Sequence, residues 1–243
     1  TGRYAHQAQL GWMTALDENR PGYRGTIART WPTLAELLKP AGYATHMVGK
    51  WHLAPDDEAQ AFLAGEALPN GTFPTQRGFD SFYGILIGGN RVSTNAAGER
   101  FGGYFTPWDL VRNTTHIPAS TLPDDYYLTE ELGNEVVERI RSHNTSNPLF
   151  IYYAPYAPHH PIEAPEHRIA KTRERYTAGY EALWAKRLAR MKELDVLPPH
   201  IEAGDAVAPF ETAWSELAPA KQAAWTEMMA TYEAAIEEIA RQV

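Results

Sequence analysis

Two helix-then-strand units are visible in the order of apolar and polar positions along the chain. Residues 33–41 are predicted to be helical, because three leucines recur at helical spacing and Thr33 with Glu36 forms a capping-box pattern. Gly42 ends that helix, and the apolar run Ala44–Gly49 that follows predicts a β-strand. A helix joined to a strand by a tight glycine turn is half of a βαβ unit, which indicates an α/β protein.

The second unit is predicted over residues 124–154. An apolar residue recurs every fourth position over 124–143, which predicts a helix there. Asp124, Asp125, Glu130 and Glu131 lie in the N-terminal half of this helix, where the helix dipole favours acidic residues. The short apolar run Leu149–Ala154 predicts a fully buried parallel strand. We see no third convincing core strand after it, so the sheet is expected to be incomplete in this chain.

The remaining segments are predicted with less regular structure. Residues 76–84 are marked only by an aromatic cluster, and two long amphipathic helices are predicted over 166–194 and 219–243. Residues 56–73 are predicted to be helical or irregular and to end in the turn Pro69-Asn70-Gly71. Residues 109–118 are predicted to form a strand pair near the surface. Loops are predicted at 88–103, which is rich in glycine, and at 198–219.

Composition narrows the class of protein. The 243 residues carry a formal net charge of −8, and an acidic chain is a poor candidate for nucleic-acid binding. The chain has no cysteine, which excludes disulfides, zinc thiolates and a cysteine nucleophile within it. No run approaches the roughly 18 apolar residues that a membrane span requires. Because the chain begins at Thr1, we expect a processed or truncated N-terminus.

Candidate chemistry follows the two predicted strands. Lys50 and His52 come directly after the first strand, and His159 and His160 follow the second. Ligands of open α/β sheets bind at the carboxyl ends of strands, where a lysine suits an anion and a histidine suits proton transfer. The alternatives are a surface turn with two solvated side chains for the first pair and loop histidines bonded to backbone for the second.

The acidic pairs are weaker candidates. Asp56-Asp57 and Asp124-Asp125 contain the oxygen ligands that a divalent cation prefers. Acidic residues are nevertheless expected at a helix start, where Asp124-Asp125 lie, and Asp56-Asp57 lie in a polar stretch. We therefore predict no metal ligand among these residues.

Residues 42–52, GYATHMVGKWH, strongly resemble a signature of the formylglycine-dependent sulfatases. Residues 1–6, TGRYAH, resemble the tail of the family's other signature, and residues 78–84, GFDSFYG, resemble its GFD-x-FYG segment. The run LFIYYAPYAPHHPIEAP at 149–165 is similar to the strand and loop that carry a substrate-contacting histidine, at His159. Residues 175–198 and 231–240 resemble helical segments of bacterial arylsulfatases.

The resemblance implies an alkaline-phosphatase-like three-layer α/β/α fold with a mostly parallel sheet, incomplete here, and residues 1–243 as a partial catalytic domain. The strand with the nucleophile and the metal aspartates, and the C-terminal part, are expected outside this chain. The implied cofactors are a formylglycine made from a Cys or Ser upstream of Thr1 by formylglycine-generating machinery, and a divalent cation, Ca²⁺, with ligands outside the chain. A periplasmic or secreted protein is favoured.

The implied activity is hydrolysis of a sulfate monoester, on a small molecule or a carbohydrate, by an arylsulfatase-type sulfuric ester hydrolase. Lys50, His52 and His159 are the implied catalytic residues, with Lys50 and His159 also binding substrate. Lys50 would neutralise a sulfate oxygen, His52 would take a proton from the hydrated formylglycine, and His159 would hydrogen-bond the bridging oxygen. Alternatives are a phosphonate monoester or phosphodiester hydrolase, or a catalytically dead sulfatase-like binding module. We expect the 243 residues alone to be inactive.

Overall fold

The computed structural model describes residues 1–12, 17–66, 68, 71–87, 93–94, 98, 100–144, 146–202 and 212–242. The strands are β1 (Ala44–Gly49), β2 (Ser81–Ile85), β3 (Ser93–Thr94), β4 (Arg100–Phe101), β5 (Leu110–Arg112), β6 (Thr115–His116) and β7 (Leu149–Ala154). The helices are α1 (Leu34–Leu38), α2 (Asp56–Leu63), α3 (Leu128–Ser142), α4 (Glu166–Thr172), α5 (Gly179–Glu193) and α6 (Pro219–Gln242). Pro69 and Asn70 of the predicted turn, and most of the predicted loop at 88–103, lie outside the described residues.

The first predicted helix–strand unit is confirmed. The capping box is formed, since the Glu36 N–H donates to Thr33 Oγ1 (3.1 Å) and the Thr33 N–H donates to a Glu36 carboxylate oxygen (2.7 Å). One 3₁₀ turn extends α1 to Ala41, and Gly42 then adopts a left-handed conformation at φ 87°. The leucine stripe does not face the core, however, because Leu34 and Leu37 are exposed and Ala35 is buried.

A five-stranded sheet in the order β6-β5-β2-β1-β7 forms the centre of the first part of the chain. Strand β1 pairs in parallel with both β2 and β7, whereas β5 and β6 add an antiparallel hairpin to β2. The predicted mostly parallel α/β class is therefore confirmed. Strand β2 is a core strand that the sequence did not predict, because all five of its residues are buried and no polar alternation marks it.

The position of the outer strands differs from the prediction. The strand pair at 109–118 exists, but Leu110 and Val111 are completely buried because β5 pairs with β2. Strand β7 is parallel as predicted, yet it is not fully buried: it lies at an edge of the sheet, and Tyr152 is 47% exposed. The sequence of a strand does not show whether other strands pair with both of its edges, because that pairing depends on distant segments.

Helix α3 lies against β1 and β2 and begins later than predicted. Tyr127 is extended at φ −135°, and the Leu128 N–H donates to the Tyr104 carbonyl (2.8 Å), so the helix starts at Leu128 and not at residue 124. Leu128 and Leu132 are fully buried, whereas Ile140 at the far end is exposed. Within the described residues, no helix has the length and apolar character to cross a membrane.

Contacts divide the chain into two compact units, Thr1–Pro161 with Glu238–Val243 and Ile162–Glu237. In the second unit, the prediction of a single helix over 166–194 is wrong, because the segment forms the two helices α4 and α5. Gly179 interrupts it at φ +84°, and a Cβ there would lie 2.2 Å from the Trp214 ring. Trp184, Met191 and Leu194 on its predicted buried face are exposed. The helix predicted over 219–243 is confirmed as α6.

Candidate functional site

The end of β1 is held by close main-chain contacts on the β7 side. Gly49 adopts φ +118°, and a Cβ at this position would lie 1.9 Å from the Ala154 carbonyl oxygen. The next residue, Lys50, donates its main-chain N–H to that same oxygen at 2.8 Å. Only glycine permits both this conformation and this approach, so the glycine before Lys50 is a requirement of the sheet edge.

The two residues after Lys50 are bound on the β2 side. The Trp51 N–H donates to the Ile85 carbonyl (2.9 Å) and the His52 N–H donates to the Leu86 carbonyl (3.0 Å). The Trp51 ring is buried and donates through Nε1 to the Thr72 carbonyl (2.8 Å). This ring therefore anchors the segment in the core while its two neighbours remain partly exposed.

His52 has a left-handed backbone at φ +52°. Such a conformation costs a non-glycine residue roughly 1–2 kcal/mol, and it persists only where surrounding contacts enforce it. The sequence predicts Lys50 and His52 on one face of an extended segment. In the structure the segment turns at His52, and the hydrogen bond to Leu86 holds that turn.

The electrostatics of Lys50 and His52 follow from partial burial. Burial lowers the pKa of His52 to about 4, and the positive charges of Lys50 and His159 contribute to this lowering. His52 is therefore a neutral imidazole at pH 7. Burial also lowers the pKa of Lys50, whereas the negative charges of Asp109 and Asp56 oppose that change. The Lys50 ammonium lies 5.5 Å from the centre of the Tyr156 ring, within range of a cation–π interaction.

The loop after β7 presents His159. Its ring stacks on Tyr156 with centroids 5.0 Å apart, and its carbonyl accepts a hydrogen bond from the Tyr104 hydroxyl at 2.8 Å. Its Nδ1 lies 2.5 Å from the His160 carbonyl oxygen. Because a carbonyl oxygen only accepts hydrogen bonds, Nδ1 carries the proton. Nε2 is therefore the ring nitrogen that is available to contact a substrate.

The structure thus brings Lys50, His52 and His159 together, although they are predicted from two separate parts of the sequence. The charges of Lys50 and His159 both act on His52. His160 contributes through its backbone: its carbonyl accepts from His159 and from the Tyr156 hydroxyl (3.2 Å).

Asp109 is a nearby residue that sequence reasoning missed. Its carboxyl is completely buried, and one oxygen accepts the Ile87 N–H at 3.0 Å. Burial raises the pKa of Asp109 to about 7, and the positive charge of Lys50 opposes this rise. An aspartate followed by two apolar residues carries no sequence signal, because its burial depends on the pairing of β5 with β2.

The two acidic pairs have different positions in the structure: Asp56-Asp57 begin α2, whereas Asp124-Asp125 lie outside α3. Asp57 lies in the first turn of α2 and accepts the N–H of Glu58 at 2.9 Å. Asp124 and Asp125 are exposed and precede α3. Across the part of the chain that the structure describes, no group of three or more His, Asp or Glu side chains is arranged to hold a metal ion.

We expect His52 to titrate with a midpoint near pH 4 when its ring signals are followed by NMR, well below the usual value of about 6.5. Lys50→Met should move this midpoint upwards, because it removes a positive charge. Between pH 6.5 and 4 the unfolded chain binds the proton more readily than the folded chain. His52 therefore makes the free energy of unfolding decrease as the pH falls through that range. A midpoint near 6.5 in the folded chain would contradict the effect assigned to burial.

Comparison with known proteins shows which family of proteins this chain resembles. The family model described as Sulfatase matches residues 1–242. An arylsulfatase from Klebsiella aerogenes is 29% identical over 254 residues, which cover 100% of this chain and 49% of that protein. Arylsulfatase J from Mus musculus is 36% identical over 165 residues, which cover 68% of this chain and 24% of that protein. The chain thus spans half or less of the length of these relatives.

Among solved structures, the crystal structure of Ps i-CgsB is similar over 99% of this chain and 42% of that chain. The TM-score is 0.51 at 20% sequence identity, so this likeness concerns the fold. It agrees with the alkaline-phosphatase-like α/β fold that the family resemblance implied.

Proposed function

Because this chain belongs to the sulfatase family, we propose that it supplies part of the active site of an arylsulfatase-type sulfuric ester hydrolase. The reaction is cleavage of a sulfate monoester to sulfate and an alcohol or phenol. The observation that carries the proposal is the meeting of Lys50, a neutral His52 and His159 beyond the ends of β1 and β7. We propose that residues 1–243 are part of a larger catalytic domain, since they correspond to 49% of the Klebsiella arylsulfatase.

Lys50 is proposed to bind and polarise the sulfate. Its ammonium is a compact positive charge, and its backbone is fixed by the hydrogen bond to Ala154. The surroundings are only partly exposed to water, which strengthens its attraction for an anion. A positioned donor of this kind contributes about 3–4 kcal/mol to transition-state stabilisation, because negative charge develops on the oxygens it contacts.

His52 is proposed as the general base. A pKa of about 4 keeps the ring neutral at pH 7, so a nitrogen lone pair would be available to accept a proton from the hydrated formylglycine and so assist the expulsion of sulfate. The same depressed pKa makes it a weak base in the ground state. The accepted proton is stabilised only as negative charge accumulates on the sulfate and offsets the nearby charge of Lys50.

His159 is proposed to act at the leaving group. With Nδ1 bonded to the His160 carbonyl, a protonated ring presents Nε2–H towards a substrate. That N–H can hydrogen-bond the bridging ester oxygen and protonate the departing alcohol. The stack on Tyr156 fixes the plane of the ring and therefore the direction of this donor.

The divalent cation and the formylglycine that family membership implies have no identified ligands or precursor among the described residues. Ca²⁺ binds six to eight oxygen ligands, whereas Lys50, His52 and His159 supply one ammonium and two imidazoles. The described residues contain no group of three or more His, Asp or Glu side chains that could hold a metal ion. The chain has no cysteine, and the resemblance places the Cys or Ser that becomes formylglycine upstream of Thr1. We propose that the cation, the formylglycine and the machinery that generates it are requirements of the parent protein.

The proposed function is tested with the longest protein that contains this chain. Its turnover of nitrophenyl sulfate and of a nitrophenyl phosphodiester is measured side by side. We expect faster turnover of the sulfate. Preference for the phosphodiester would assign the site to the phosphonate monoester and phosphodiester hydrolases. Absence of turnover of both by folded protein containing the formylglycine and supplied with Ca²⁺ would identify a sulfatase-like binding protein and reject the proposal.

A further inference from the structure

We propose that Asp109 is a positioning residue for the active site, one that holds the segment supporting His52 and supplies the counter-charge of Lys50. Its catalytic meaning rests on the function proposed above. The pairing itself can be tested without any enzymatic assay.

A continuous set of hydrogen bonds links Asp109 to the backbone of His52. The carbonyls of Ile85 and Leu86 accept the N–H groups of Trp51 and His52. The N–H of the next residue, Ile87, donates to Asp109 Oδ2 at 3.0 Å. The carboxyl of Asp109 therefore binds the same short segment that fixes the backbone of His52.

The location of Asp109 makes this link rigid. It immediately precedes β5, whose first residue, Leu110, pairs with Ile85 of β2. Leu86 and Leu110 are completely buried, and Ile87 is nearly so. The hydrogen bond to Ile87 thus continues the β2–β5 pairing beyond the end of β2 through a side chain.

The burial of the Asp109 carboxyl calls for a compensating charge. Asp109 is 0% exposed, and its Oδ1 has no hydrogen-bond partner among the residues that the structure describes. A buried carboxylate is strongly unfavourable unless a positive charge compensates it. Lys50 supplies an attractive charge, whereas Asp56 adds a repulsive one.

The effect on Lys50 is reciprocal. Asp109 and Asp56 counteract the burial that lowers the pKa of Lys50, and they thereby favour its ammonium form. Lys50 in turn favours the ionised form of Asp109, whose pKa is about 7. Above that pH, the negative charge of Asp109 favours the protonated form of Lys50, which is the form that binds a sulfate oxygen.

The experiment compares Asp109→Asn with Asp57→Asn in the 243-residue chain. The asparagine carbonyl can still accept the Ile87 N–H, so the variant removes the charge and keeps the hydrogen bond. We expect the pKa of Lys50, followed by NMR of its ammonium group, to fall in Asp109→Asn, because the substitution removes a negative charge that raises it. Asp57→Asn, in the first turn of α2, should leave it unchanged, because Asp57 is not among the charges that act on Lys50. An unchanged pKa of Lys50 in a folded Asp109→Asn chain would overturn the proposal.

A reciprocal measurement tests the same pairing if the Asp109→Asn variant does not fold. Lys50→Met should raise the pKa of Asp109, followed through its carboxyl carbon, above about 7. An unmoved value would count against the pairing.

In the longer protein, Asp109→Asn should shift the alkaline limb of kcat/KM for nitrophenyl sulfate to lower pH, because Lys50 loses its proton earlier. An unmoved limb would reject the positioning role. Absence of sulfatase activity in the unsubstituted protein would instead reject the proposed function and leave the NMR result standing.

Discussion

Lys50→Ala in the protein that carries this chain is expected to reduce turnover of an aryl sulfate at least about 100-fold. The Lys50 side chain contributes a positive charge that acts on His52, and partial burial makes that charge more effective on a bound anion than a solvated one. The loss should appear mainly in kcat, because the oxygens gain negative charge as the S–O bond breaks. Steady-state kinetics with nitrophenyl sulfate measures it.

Lys186→Ala is the matched control, since Lys186 is an exposed lysine of α5 in the second unit. It removes the same charge and should leave the rate within about twofold, because a solvated charge contributes little. Circular dichroism and thermal unfolding establish that both variants are folded. A Lys50→Ala enzyme with a near-normal rate would remove Lys50 from the mechanism.

His159→Ala is expected to lower turnover of an aryl sulfate at least about 100-fold, and that of an alkyl or sugar sulfate more. The leaving group explains the difference. An alkoxide is far more basic than nitrophenolate, so its departure depends more on protonation by the Nε2–H of His159. A series of esters with leaving groups of increasing pKa should therefore show a steeper decline of rate in the variant.

His160→Ala is a close control for this position. The side chain of His160 is exposed, whereas its carbonyl, which the substitution keeps, accepts the hydrogen bond from His159 Nδ1. We expect His160→Ala to retain most of the activity. Equal slopes for the unsubstituted enzyme and His159→Ala would show that His159 does not protonate the leaving group.

The sequence identified the local elements that carry these side chains. Thr33, Glu36 and Gly42 specify the start and end of the first helix through contacts within a few residues, and those contacts are formed. The run 44–49 is predictable as β1 for the same reason, since its apolar side chains and the glycine at its end are local properties. Local sequence alone therefore suffices to place Lys50 and His52 beyond a strand end.

Features that depend on pairing between distant segments were predicted poorly. Strand β2 has no alternation because both of its faces are covered, and the edge position of β7 depends on which strands pair with it. The break at Gly179 reflects the approach of Trp214, which lies far later in the chain. The missed Asp109 belongs to the same class, because only the pairing of β5 with β2 buries it.

By itself, the sequence determined where α1 begins and ends, that β1 and β7 are strands, and which lysine and histidines follow these strands. Only the tertiary structure showed that the charges of Lys50 and His159 act on His52, that His52 is neutral, and that the buried Asp109 interacts with Lys50. The physical reason is the range of the interactions. Capping and periodicity act over three or four residues, whereas desolvation and charge–charge interactions depend on which distant segments the sheet brings together.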